Sequence, residues 1–62
     1  MIKFVTIIDG KAMLYTKYDS GGCYVKPILG GKSTPISTHE FETTQEQAKQ
    51  DIQNTYYTEV VK

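Results

Sequence analysis

The chain has 62 residues, 39% apolar and 23% charged, with seven lysines against seven acids for a formal net charge of zero. That length leaves room for one small domain, residues 1–62, and excludes an enzyme built on a separate cofactor fold; a core this small buries only about 60% of the unfolded surface. The neutral balance excludes polyanion binding by bulk charge and acidic mimicry of DNA.

In chain order, the β-branched and aromatic run Ile2–Ile8 predicts a strand. Asp9-Gly10 follows and suits a two-residue turn in which both central residues take positive φ. Lys11–Tyr18 predicts the second strand, Asp19-Ser20-Gly21-Gly22 a second turn, and Cys23–Leu29 a third strand that Pro27 pushes toward a sheet edge. Gly30–Pro35 is loop and Ile36–Phe41 a short extended segment. Thr43-Thr44-Gln45-Glu46 fits a capping box, which predicts a helix from about Thr44 to Asn54 with Ala48, Ile52 and Tyr56 in one row. Thr55–Val61 prefers a strand, with extension of the helix through Tyr57 as the competing assignment. The expected fold is α+β: a small antiparallel sheet of three to four strands on one helix, in the order β-β-β-(β)-α-β.

Register assigns side chains to faces. A tight Asp9-Gly10 turn sets Ile8 opposite Lys11 and Phe4 opposite Tyr15. Val5, Ile7, Ala12 and Leu14 then share one face, and Ile2, Phe4, Thr6, Met13, Tyr15 and Lys17 the other. If Asp19 lies opposite Gly22, Cys23 and Val25 join the aliphatic face, while Tyr24, Lys26 and Ile28 join the aromatic one. The compact aliphatic face is the expected core, made of Val5, Ile7, Ala12, Leu14, Cys23, Val25, Phe41, Ala48 and Ile52. One short helix cannot cover both faces. Either Tyr56, Tyr57, Val60 and Val61 fold over the second face, or that face is open for binding.

Charge is unevenly distributed. Residues 1–32 hold five lysines and two acids, and residues 33–62 hold two lysines and five acids. Attraction between the two halves on folding is the simpler account, and a basic working face the sharper one. Arginine is absent, so guanine edges and phosphates would meet only lysine point charges. A single cysteine, Cys23, forms no intrachain disulfide and reads as a small buried residue of a reducing compartment. The apolar start is too short for a signal core and no run reaches membrane-span length, so a cytoplasmic location with no membrane contact is expected.

The chemical motifs are weak. Gly30-Gly31-Lys32-Ser33 resembles the end of a phosphate-binding loop, but Lys26 stands where the first glycine belongs and Pro35 follows where a helix should open. His39 beside Glu40 lacks a third partner and a pocket, and lone Cys23 and His39 do not make a metal site. No catalytic residue, cofactor or metal is expected. Phe41-Glu42-Thr43-Thr44-Gln45-Glu46-Gln47-Ala48 is similar to the strand-to-helix junction of arm-type DNA-binding domains of phage and transposon integrases. That resemblance implies three strands followed by a helix; it covers eight residues, and this chain departs from it in having no arginine.

The functional expectation is a small non-enzymatic accessory or regulatory protein, of the kind common in phages and mobile elements. It would act through protein–protein contacts of the aromatic face, with a second copy (a homodimer) or another protein as partner. The candidate binding face is Phe4, Met13, Tyr15, Lys17, Tyr24 and Lys26. The alternative is a nucleic-acid-binding module in which Phe4, Tyr15 and Tyr24 stack on bases and Lys17 and Lys26 meet phosphates.

Overall fold

The computed structural model describes residues 1–50 and the backbone of Val60–Val61. The elements are β1 (Ile2–Ile8), β2 (Lys11–Lys17), β3 (Cys23–Pro27), β4 (Thr34–Ile36), α1 (Thr38–Gln50) and β5 (Val60–Val61). They form one antiparallel sheet in the order β4-β3-β2-β1-β5 with α1 on one face, the expected α+β arrangement. The predicted final strand is described only at Val60–Val61; Thr55–Glu59, with Ile52 and Tyr56 of the predicted helix row, lies outside the described residues.

The first turn is as the sequence predicts. Asp9 (φ 50°) and Gly10 (φ 77°) both adopt the left-handed conformation, and β1 pairs β2 with Ile8 opposite Lys11 and Phe4 opposite Tyr15. The second turn is one residue longer than expected. Tyr18 N–H donates to Gly22 O (2.8 Å) and Gly21 N–H to Tyr18 O (2.9 Å), leaving a three-residue loop of Asp19, Ser20 and Gly21, with Gly21 at φ 101°. Gly21 supplies the left-handed residue that such a loop requires. Lys17 therefore faces Cys23, Thr16 faces Tyr24 and Leu14 faces Lys26. This slip moves Cys23 and Val25 to the ring face, and Tyr24 and Lys26 to the aliphatic face.

Both prolines sit where a missing amide costs nothing. Ile28 N–H donates to Ala12 O (3.0 Å), so the even-numbered residues of β3 bond to β2 and Pro27 turns its nitrogen to the other side. There β4 begins only at Thr34, opposite Val25. By the same alternation Pro35 aims its nitrogen outward and blunts the sheet's outer edge.

The helix starts earlier than predicted. Ser37 is its cap: Ser37 Oγ accepts from Glu40 N–H (3.0 Å) and Ser37 O from Phe41 N–H (3.0 Å). Ser37-Thr38-His39-Glu40 is itself a capping-box sequence, and Ile36 and Phe41 occupy the hydrophobic-staple positions around it. Thr43 and Thr44 are helix interior, so Phe41 lies within the helix and the likeness to an integrase strand-to-helix junction fails at that residue.

The core is the ring face, not the aliphatic one. Phe4 (0% exposed) and Tyr15 stack with centroids 4.9 Å apart and planes 2° from parallel. Phe41 (1% exposed) meets Phe4 edge-on at 5.2 Å and Tyr15 at 6.5 Å. Cys23 and Ala48 complete the buried cluster; Ile2, Met13, Val25 and Ile36 pack around it. The helix's described buried residues are Phe41 and Ala48, so its stripe is thin. Large rings, at about 150–250 Å² each, give such a stripe more buried area than valine or alanine could. Of the expected core, Val5, Ile7, Ala12 and Leu14 are half-buried on the opposite face, while Cys23, Phe41 and Ala48 are buried as predicted.

Removing the cap in Ser37→Ala lowers the unfolding free energy by about 0.5–2 kcal/mol, read as a lower urea midpoint at unchanged slope. Phe4→Ala costs about 3–5 kcal/mol. That is comparable to the whole stability of a chain this short, roughly 3–9 kcal/mol, so the variant loses its cooperative urea transition.

Candidate functional site

The six residues expected to share a binding face are divided between two. Phe4 and Tyr15 are buried beneath α1, Met13 packs against them, and Lys17 pairs with Glu42 of the helix (Nζ–Oε1 3.9 Å). Tyr24 and Lys26 are exposed on the opposite face. The correction has two causes: the helix takes the rings for the core, and the longer second turn rotates β3 by one residue. The surface left uncovered by any described helix or strand is the one that carries Val5, Leu14, Thr16 and Tyr24.

This uncovered face has two ends of different chemistry. At the end nearer the Asp9-Gly10 turn, Ile7, Ala12 and Ile28 form one cross-strand row, next to Val5 and Leu14. Ile28 is exposed, and Leu29, just past it, is 98% exposed. A shallow cavity of about 320 Å³ lies beside the same turn, at the end of the sheet, lined by Gly10, Lys11, Ala12, Pro27, Leu29 and Gly30; Ala12 belongs to the uncovered face, Lys11 and Pro27 to the ring face. At the other end Lys3, Thr16 and Tyr24 lie side by side across β1, β2 and β3, and Lys26 lies in the next row beside Leu14. Tyr18 and Tyr24 meet edge-on at 5.7 Å. Lys3, Lys26, Thr16, Ser33 and the two tyrosines help to line a cavity of about 120 Å³.

Sequence reasoning missed Lys3, Thr16, Tyr18 and Ser33 as possible site residues. Their signal lies in the register: a three-residue second loop places Tyr24 beside Thr16 and Lys3, and only the position of Gly21 marks that loop. The remaining chemical residues are apart from both ends. His39 and Glu40 are exposed in the first helical turn. Cys23 is buried, its Sγ 4.0 Å from Thr38 Oγ1. Among the described residues no group of three His, Cys, Asp or Glu side chains is placed to hold a metal ion, and no helix is long and apolar enough to cross a membrane.

Comparison with protein-family models, with curated proteins and with solved structures finds no match for this chain.

Tyr15 titrates above the ordinary tyrosine range, first because burial penalises the phenolate and also because Glu40 repels it; a side-chain hydrogen bond with Thr44 opposes the shift. With the folded value above the unfolded one, the folded chain keeps a proton that the unfolded chain releases. Stability is thus unaffected by Tyr15 below about pH 10 and falls as pH rises beyond it. Urea midpoints measured from about pH 9 upward decline, and the decline is shallower in Tyr15→Phe.

Proposed function

We propose that this is a small non-enzymatic accessory protein that works through protein–protein contacts at the apolar end of its uncovered sheet face. The observation that carries the reading is Leu29, 98% exposed and next in the chain to Ile28, which ends an apolar surface formed with Val5, Ile7, Ala12 and Leu14. A leucine held wholly in water beside a shallow cavity makes an anchor for a complementary surface, and contiguous apolar area on a small chain marks an interaction site. The partner presents an apolar counter-surface, and a second copy of this chain qualifies. The expected homodimer through Phe4 and Tyr15 is not available, since those rings are buried in the chain's own core.

A photo-crosslinking residue in place of Ile28 forms adducts with protein in the source cell, whereas the same residue in place of Glu46, on the exposed helix side, does not. Adduct mass distinguishes a second copy from another protein. Leu29→Asp, which disturbs no buried contact, leaves the circular dichroism spectrum unchanged and lowers the Ile28 adduct at least about tenfold. Equal adducts from both positions, none from Ile28, or unfolding of Leu29→Asp sinks the reading.

A further inference from the structure

We propose that the other end of the uncovered face is a nucleotide site, holding a phosphate between Lys3 and Lys26 and a planar base against Tyr24. It does not rest on the protein-contact reading, because its residues and its test are separate.

The phosphate half is argued from charge. Lys3, Lys26, Ser33 and Thr16, the last 7% exposed, line one cavity, with no Asp or Glu in its wall. Among the described residues neither Lys3 nor Lys26 makes an ion pair, whereas Lys17 pairs with Glu42. Asp19, the acid nearest Lys26 in the chain, is held by the amino group of Met1. Without arginine, an oxyanion here is bound by point charges and hydroxyl donors, which suits a compact phosphate of nearly two negative charges. The cavity of about 120 Å³ is well above the roughly 10–15 Å³ that one water needs.

The base half is argued from the tyrosines. A second cavity, of about 350 Å³, opens on Tyr18, Tyr24 and Ser33 of the first and adds Ser20 and Gly22. Tyr24 is 37% exposed, and its edge-on contact with Tyr18 orients the ring. A Cβ at Gly22 would stand 3.2 Å from Tyr24 Cε1, so the absent side chain lets the ring lie along the backbone there. A pre-oriented, part-exposed ring next to cationic groups is the arrangement that stacks a base and tracks its phosphate.

The test titrates the isotope-labelled full chain with adenosine monophosphate, adenosine, inorganic phosphate, O-phosphoserine and a thymidylate decamer, following amide shifts. Adenosine monophosphate gives saturable shifts at Thr16, Tyr24 and Lys26 and binds at least about tenfold tighter than adenosine, phosphate or phosphoserine. Lys26→Gln, alone or with Lys3→Gln, weakens it about tenfold or more; Tyr24→Leu reduces it to the level of phosphate; Leu29→Asp leaves it unchanged. A decamer that binds tighter than the mononucleotide, with steep salt dependence, assigns the site to single strands, and the reverse order assigns it to free nucleotides. Absent shifts, phosphoserine binding as tightly as the nucleotide, or indifference to Lys26→Gln in a chain with unchanged spectral dispersion overturns the proposal.

Discussion

Three rings determine which way round this molecule is built. Phe4 and Tyr15 stand opposite each other on adjacent strands, so their faces stack without strain, and Phe41 closes over them from the helix. Aromatic pairs in these geometries add about 0.5–1.5 kcal/mol each beyond the area they bury. For a chain with so small a core, that is a large share of the net stability. The helix has few apolar side chains to offer, and it lies where each contributes most. The aliphatic face is left over as a consequence: among the described residues no helix or strand covers it, and Val5, Ile7, Ala12 and Leu14 are half-buried there.

Which groups occupy that face is settled by one loop residue. With a two-residue second turn, Tyr24 and Lys26 would lie under the helix, where a lysine would lose its hydration without a partner. The three-residue loop ending in Gly21 rotates β3 so that Cys23 and Val25 are the residues turned inward. Packing and turn chemistry agree on this register, and only then do Lys3, Thr16, Tyr24 and Lys26 come together.

The strands, the first turn and the order of elements were legible because alternation, β-branching and Asp9-Gly10 are local signals. The choice of core face was not, since alternation separates two faces without saying which one a helix will cover. That choice depended on Phe41, which reads as the end of an extended segment if the helix begins at Thr44. Two capping boxes compete here, Ser37 with Glu40 and Thr43 with Glu46. The first has the added staple of Ile36 and Phe41, and it starts the helix early enough to carry a ring onto the sheet. The candidate site was half legible for the same reason: Tyr24 and Lys26 were identified by type, but were grouped with residues that the fold buries.

The uneven charge of the chain takes on a spatial meaning in this fold. If attraction between the basic first half and the acidic second half served only to bring them together, the lysines of the sheet would face the acids of the helix. Lys17 does so, 3.9 Å from Glu42, but Lys3 and Lys26 project from the side away from α1. Glu40, Glu42 and Glu46 are all exposed on the helix. Among the described residues, the sheet surface away from α1 therefore carries Lys3 and Lys26 and the helix carries Glu40, Glu42 and Glu46, with the core between them. At physiological salt the field of an exposed charge reaches about 8 Å, so the described helix acids on the far side of the core are largely screened from Lys3 and Lys26. The neutral sum, which excludes indiscriminate polyanion binding, is thus compatible with a local site for one phosphate.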